Sequence, residues 1–372
     1  MELTINKTEL TKALSCVQSI VQKKTTMPIL SNALISASDE GLNISATDLE
    51  IALSAKVPAK IGKPGSTTVN AKVLYDVVKE LPEADVTLKV GEGERLEVVC
   101  GKSRTRIIGA SAEEFPGLPG QGLSPKAKIS SKQLSEIIAK TIYSVSLDET
   151  RFNLNGVNFE VVDSDGSKSL RLVATDGHRL AMITRPAGNL DFKKSVLVPR
   201  KGLLEISKLI SEYPTDEVLI GVEDGFIVTE APGAKLSIRL IDGEFPDYRQ
   251  VMPKTKGVKA NVNGAELAMA LRRVSLMVTD KAKGAKLDFS NGNLRISSYS
   301  PELGDASEEI SVDYKGEPLS VGFNARYILD IISAVNESQR FTIELHGELG
   351  PGKIYPESDE FCLAIVMPMR LT

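Results

Sequence analysis

Apolar positions recur at i, i+3, i+4 and i+7 in three stretches of this chain: Val69–Leu81, Val198–Ile210 and Phe323–Val335. That spacing is one face of a helix. The first copy places Leu74, Val77, Val78 and Leu81 on it. The second places Leu203, Ile206, Ser207 and Ile210 there, and the third Ile328, Ile331, Ile332 and Val335. The opposite stripe repeats as well, as Lys72, Asp76 and Lys79, then Lys201, Glu205 and Lys208, then Arg326, Asp330 and Ser333. Each stripe opens with a cation and has an anion four residues on, a pairing that supports a solvated helix face. One such stretch would be an ordinary surface helix. Three, starting 129 and 125 residues apart, indicate a triplicated unit.

The pattern around these helices repeats too. Asn6, Ser130 and Asn263 stand where N-caps belong, each before a second amphipathic run. Those runs are lined by Leu10, Leu14, Val17 and Val21, then Leu134, Ile138 and Ile142, then Leu267, Leu271 and Val274. Strand-like runs follow at 29–37, 42–47, 50–57, 86–90, 95–100 and 103–110 in the first unit. The second unit has them at 153–162 and 169–174, the third at 286–289, 294–299, 309–312, 341–345 and 360–367. Ala46-Thr47-Asp48 returns as Ala174-Thr175-Asp176, and Glu114-Phe115-Pro116 as Glu244-Phe245-Pro246. Gly/Pro-rich or polar linkers close the first two units. The sequence therefore predicts an α+β fold of three domains, 1–126, 127–255 and 256–372, each with two helices packed on antiparallel sheet.

Composition narrows the function. The apolar fraction of 42% and charged fraction of 25% are those of a globular protein, and no run is long enough to span a bilayer. Three scattered cysteines and two histidines argue against a metal site, so no cofactor is expected. The net charge of −4 requires any nucleic-acid surface to be a local concentration of cations. Geometry supplies one. Three modules about 35 Å across leave a central hole of only about 5 Å, whereas six leave about 35 Å, enough for duplex DNA. A head-to-tail dimer, not a monomer, could then encircle a duplex with the cationic stripes facing inward. Such lysines contact phosphate and read no base sequence. Gly347–Lys353 has the spacing of a phosphate loop, but Ile354 replaces the Ser or Thr that would hold Mg²⁺, and a hairpin turn is expected. His178 beside Asp176 has no nucleophile grouped with it and is expected to line a pocket.

The triplication, the run Ala174-Thr175-Asp176-Gly177-His178-Arg179-Leu180, the run Glu244-Phe245-Pro246-Asp247-Tyr248-Arg249 and the ending Met367-Pro368-Met369-Arg370-Leu371 together resemble the bacterial DNA polymerase III beta subunit, the sliding-clamp family. The resemblance spans the whole chain. It implies a non-catalytic processivity factor, cytoplasmic and nucleoid-associated, forming a homodimeric ring on duplex DNA. Its implied partners are the replicative polymerase's alpha-type subunit, the clamp loader, and other polymerases and repair proteins carrying a clamp-binding peptide. The implied peptide pocket, between the second and third domains, comprises Thr175, Gly177, His178, Arg179, Leu180, Pro246, Val251, Asn324, Tyr327, Met367, Pro368, Met369, Arg370 and Leu371. The same resemblance places Lys24, Lys72, Arg151, Arg200, Lys201 and Lys208 on DNA. It places Lys102, Arg104, Thr105 and Ile107 against Leu276, Met277, Glu302, Asp305, Glu308 and Glu309 at the ring seam. Three positions depart from the family pattern: Gln250 replaces an arginine common there, Asn153 replaces an aromatic residue, and Ser333 lacks a cation.

Overall fold

The computed structural model describes residues 1–21, 26–164, 166–277 and 284–370. Lys24 and Leu371 lie outside the described residues. Six α-helices are described: α1 (Lys7–Ile20), α2 (Ala71–Lys79), α3 (Ser131–Ala139), α4 (Arg200–Glu212), α5 (Gly264–Val274) and α6 (Ala325–Val335). The three repeated stretches are α2, α4 and α6, and the capped runs are α1, α3 and α5.

The predicted caps form. Asn6 Oδ1 accepts from the backbone N–H of Thr8 and Glu9, and Asn263 Oδ1 from Ala265 and Glu266. Asn70 and Asn324 cap α2 and α6 in the same way. Such caps satisfy donors that the first helical turn leaves orphaned. Ile142, expected on the face of α3, instead sits in a short 3-10 turn, Ile142–Ser144. The Thr141 hydroxyl donates back to the Ile137 and Ile138 carbonyls, which competes with continuing the helix.

The chain forms two compact units. One comprises Met1–Ser135, Gly188–Phe192 and Lys201–Leu240; the other comprises Glu136–Ala187, Lys193–Arg200 and Ile241–Thr372. The first unit carries a thirteen-stranded antiparallel sheet. Its repeats join where Ala234–Arg239 pairs with Ile51–Val57, in register Leu236 to Leu53. The second unit carries a nine-stranded sheet, joined where Arg179–Pro186 pairs with Cys362–Val366, in register Leu180 to Ile365. Each join buries a strand edge that would otherwise be sticky.

Several strands end a sheet or are only partly paired, and two of these carry the residues assigned to the ring seam. Ser103–Ala110 pairs with Arg95–Cys100 along its first part, and with Gly65–Asn70 only through Gly109 and Ala110. Gly304–Ser311 ends a four-stranded sheet in the second unit. That unit's core includes Leu267, Leu271 and Val274 of α5 and Ile328, Ile331 and Ile332 of α6, packed on Phe289, Phe323 and Phe341. Sequence reading missed Arg179–Pro186, Glu217–Glu223, Phe226–Ala231, Ala234–Arg239 and Gly352–Pro356 as strands. Gly347–Lys353 spans the turn and start of the hairpin Arg340–Leu345/Gly352–Pro356, as Ile354 in place of Ser or Thr led one to expect despite the phosphate-loop spacing.

Candidate functional site

The repeated Ala-Thr-Asp is one turn built twice. In the first repeat, Thr47 Oγ1 donates to the Ile51 carbonyl and accepts from Leu49 N–H. Asp48 Oδ1 accepts from Glu50 and Ile51 N–H. In the second, Thr175 Oγ1 donates to the Arg179 carbonyl and accepts from Gly177 N–H. Asp176 Oδ1 accepts from His178 and Arg179 N–H. Threonine and aspartate suit this work because their short polar side chains bond the backbone two to four residues on. The turn's third residue is left-handed in both copies: Leu49 at φ 77° and Gly177 at φ 89°.

Arg179 leaves this turn and is fully engaged. Nε donates to Asp176 Oδ2 at 3.1 Å, Nη1 to Asp330 Oδ2 of α6 at 2.7 Å, and Nη2 to the Tyr143 carbonyl. Its guanidinium lies 4.5 Å from the Tyr327 ring centroid and 5.4 Å from that of Tyr143. Two carboxylates, a carbonyl and two ring faces compensate a cation that is nearly buried. The sequence reading gave Arg179 to a bound peptide; the structure spends its charge on holding the turn to α6.

Beside the turn lies a cavity of about 380 Å³. Thr175, Gly177, Arg179, Leu180, Pro246, Val251 and Met367 line it, as the sequence reading grouped them. Asn153, Leu154, Asp247, Tyr248 and Ile365 line it as well and were missed. Beneath it, Val173, Leu180, Tyr248, Tyr355, Leu363 and Ile365 form a small apolar cluster. His178, Asn324, Tyr327, Pro368, Met369 and Arg370 do not line this cavity. Asn324 is the buried cap of α6, and Tyr327 stacks on Arg179. The chain end is laid along the neighbouring backbone: Met367 N–H donates to the His178 carbonyl, and Met369 N–H to the Gly322 carbonyl. Apolar walls with a few fixed polar groups suit a short hydrophobic segment.

The cationic stripes fare differently in the three copies. Lys72, Asp76 and Lys79 of α2 are exposed. In α4, Lys201 donates to Asp48 and to the Ile20 carbonyl at the end of α1, and Lys208 to the Ser15 carbonyl. Glu205 is buried, accepts from the Ser19 hydroxyl, and has its pKa raised by burial. The stripe expected to be a solvated, DNA-facing surface in α4 thus packs against α1. Arg326 of α6 is exposed and pairs with Asp330. Arg151 pairs loosely with Asp148, at 3.6 Å, and Arg200 is exposed.

At the open edges, Lys102 and Arg104 are exposed, with Arg104 3.8 Å from Glu97. Ile107, assigned to the seam from the sequence, points inward at 7% exposure, whereas Ile108 is 79% exposed. Thr105 shares the inward face with Ile107. Strand alternation puts Arg104, Arg106 and Ile108 on the outer face. Glu302, Asp305 and Glu309 are exposed and Met277 is half-buried. Glu308 is held by Arg273 through two hydrogen bonds, and Leu276 is 72% exposed. Among the described residues no three metal-ligating side chains gather, and no helix is long and apolar enough to cross a membrane.

Comparison with known proteins gives this arrangement its family. Models of the DNA polymerase III beta subunit match along the chain: the N-terminal domain at residues 1–119, the central domain at 128–247 and the C-terminal domain at 249–370. The beta sliding clamp of Caulobacter vibrioides is 36% identical over 375 residues, covering 100% of both chains. That of Escherichia coli K12 is 31% identical over 373 residues, again covering 100% of both. The crystal structure of a sliding clamp from Bartonella birtlesii bound to griselimycin superposes with a TM-score of 0.94 at 33% identity, covering 100% of each chain. The chain belongs to the DNA polymerase III beta-subunit family, the sliding clamps. Its function is that of a processivity clamp for a DNA polymerase.

Proposed function

We propose that two copies of this chain close head to tail into a ring around duplex DNA and act without catalysis, as a tether. The observation that carries this is the unequal fate of the repeated helices. The polar stripe of α4 engages α1 and the turn at Asp48, both in the repeat before it. Asp330 in the stripe of α6 engages the turn at Arg179, again in the repeat before it. The stripe of α2 has no earlier repeat in its own chain and is exposed. The third repeat of a second copy supplies one. On this reading Lys72 belongs to the seam and not to the DNA surface. Leu276 and Met277, which follow α5, stand there as the counterpart of the end of α1. The open edges support the same pairing: exposed Lys102, Arg104 and Ile108 face exposed Glu302, Asp305 and Glu309 with Leu276, opposite charges around apolar contact. The heterologous contact closes on itself after two copies.

The division into domains 1–126, 127–255 and 256–372 goes with this reading, three modules per chain and six per ring. Arg151, Arg200 and Lys24 remain the cations assigned to DNA phosphates. The cavity at Leu180, Tyr248 and Met367 takes the hydrophobic peptide of the polymerase alpha-type subunit, the clamp loader and other clamp-binding proteins, in the cytoplasm at the nucleoid. Griselimycin, named with the Bartonella birtlesii clamp, serves as a probe of it. Sedimentation of the pure chain tests the ring: a species of two chains is expected, and Ile108→Asp combined with Lys72→Glu is expected to give one chain. A native protein that sediments as a single chain at micromolar concentration would remove the ring.

A further inference from the structure

One wall of the cavity, Pro246–Val251, belongs to no strand. Its backbone bonds are internal, Gln250 N–H to the Asp247 carbonyl and Met252 N–H to the Arg249 carbonyl. Among the described residues, two side-chain hydrogen-bond attachments tie the segment 244–251 to other elements. Asn153 Nδ2 donates to the Glu244 carbonyl at a long 3.4 Å. The other is the Tyr248 hydroxyl, which donates to Glu160 Oε1 and accepts from Arg171 Nη1 at 3.1 Å. Arg171 is itself fixed, its Nε donating to Thr184 Oγ1 at 3.1 Å and its Nη1 lying 3.7 Å from Glu160. Arg249 adds only a 4.0 Å approach to Glu160. Glu160 lies on Gly156–Ser164 and Arg171 on Ser167–Thr175, neighbouring strands that face each other directly, Glu160 to Arg171.

We propose that Glu160 and Arg171 are positioning residues for peptide capture, holding the Tyr248 hydroxyl and through it setting the width of the cavity between Pro246–Val251 and Leu180–Met367. Neither lines the cavity. Their charge strengthens the hydroxyl's two bonds, because a hydrogen bond to an ionised partner is about twice as strong as a neutral one. The inference rests on the cavity being the peptide site. Tyr248 lines the cavity while its hydroxyl is bonded to two residues that do not, so loss of the hydroxyl alone removes the fastening and keeps the ring.

The test is calorimetric titration of griselimycin into the purified full-length chain and its variants, well below their melting temperatures. Met367→Ala reports on the site itself and is expected to weaken binding. Tyr248→Phe and Glu160→Ala are each expected to weaken it roughly tenfold, the loss of a charge-assisted hydrogen bond. Combined, they are expected to do no more than either alone, because both release the same fastening. Glu160→Gln, which keeps an acceptor for the hydroxyl, is expected to recover most of the affinity. Native affinity in Tyr248→Phe alongside weakened binding in Met367→Ala would overturn the positioning role and leave the site standing. Independent, additive losses would overturn it as well. Native affinity in Met367→Ala would overturn the site and this inference together.

Discussion

Residues 47–51 and 175–179 fold into the same turn with the same four kinds of bond, yet only the second borders an apolar cavity. The difference comes from what the rest of the chain brings to each. At the first turn, the second carboxylate oxygen of Asp48 takes Lys201, which also caps the end of α1. At the second, that oxygen takes Arg179, which reaches on to Asp330. The join strands differ as well. Ser237 stands opposite Ala52 where Ile365 stands opposite Leu180. Over the first join lies the linker, tethered by Lys235 through the Gln121 and Leu123 carbonyls. There the space, about 420 Å³, mixes Lys56, Glu230, Lys235 and Ser237 with Leu53, Leu118 and Pro119, whereas Leu180, Pro246, Val251, Ile365 and Met367 dominate the second. A repeated sequence thus specifies a repeated turn, while neighbours from distant parts of the chain decide whether a hydrophobic ligand finds a surface.

The largest effect that would break the comparison is at Arg179. Arg179→Ala leaves Asp176 and Asp330 without their shared cation, a loss of about 3–5 kcal/mol when one partner of a buried pair is removed. It is expected to lower the melting temperature sharply and to abolish the griselimycin binding proposed for the cavity. Asp48→Ala removes the matching partner at the first turn. It is expected to cost less, about 2–3 kcal/mol, because half-exposed Lys201 can rehydrate, and to leave griselimycin binding at its native value. Equal effects on binding would mean the two turns are not functionally distinct.

A smaller contrast lies in the left-handed residue. Gly177→Ala is expected to destabilise by about 1–2 kcal/mol, since a Cβ there is strained and meets Arg151 Nη1 at 3.2 Å. Leu49→Gly at the equivalent place is expected to be neutral or to stabilise by up to about 1 kcal/mol, as the strain of a leucine at φ 77° is relieved. Denaturant midpoints of the two variants decide this, and a stabilising Gly177→Ala would refute the strain assignment.

The smallest effect is in pH dependence. Burial raises the Glu205 carboxyl against α1. A raised folded-state value makes its contribution fully present below the ordinary value of 4.5, and lost as pH rises through the folded value. In the second unit, burial pushes Glu136 up, but hydrogen bonds from Arg185 and Lys140 outweigh it and hold the carboxyl low. Its contribution is present above the ordinary value and lost as pH falls through the folded one. Glu205→Gln should therefore flatten the stability decline on the neutral side of pH 4.5, and Glu136→Gln that on the acid side, read from urea midpoints between pH 3 and 7. A Glu205→Gln variant that steepens the neutral-side decline would mean that burial lowers this carboxyl instead of raising it.

Much of this was legible in the chain because the signals were local. Caps, helix faces and the hairpin at 347–352 each depend on residues within a few positions of one another; the recurrence of Ala-Thr-Asp was visible, while the turn it builds was not read. The strands Glu217–Glu223 through Ala234–Arg239 were missed because short apolar runs carry no record of their partners. Ile107 came to the seam from the resemblance, and the strand phase that turns it inward and Ile108 outward is set by sheet pairing rather than by any local signal. Lys201 and Lys208 read as solvated because their acceptors, the carbonyls of Ile20 and Ser15, lie 181 and 193 residues away. Tyr248 sat in a recognised run, but its role depends on Glu160 and Arg171, which no local spacing joins to it.

Retention on DNA measures the central claim directly. The protein is loaded onto nicked circular duplex by a bacterial clamp loader, washed, and followed before and after a single cut linearises the circle. A closed ring stays on the circle and slides off the cut ends, whereas equal retention on circular and linear DNA would contradict an encircling clamp.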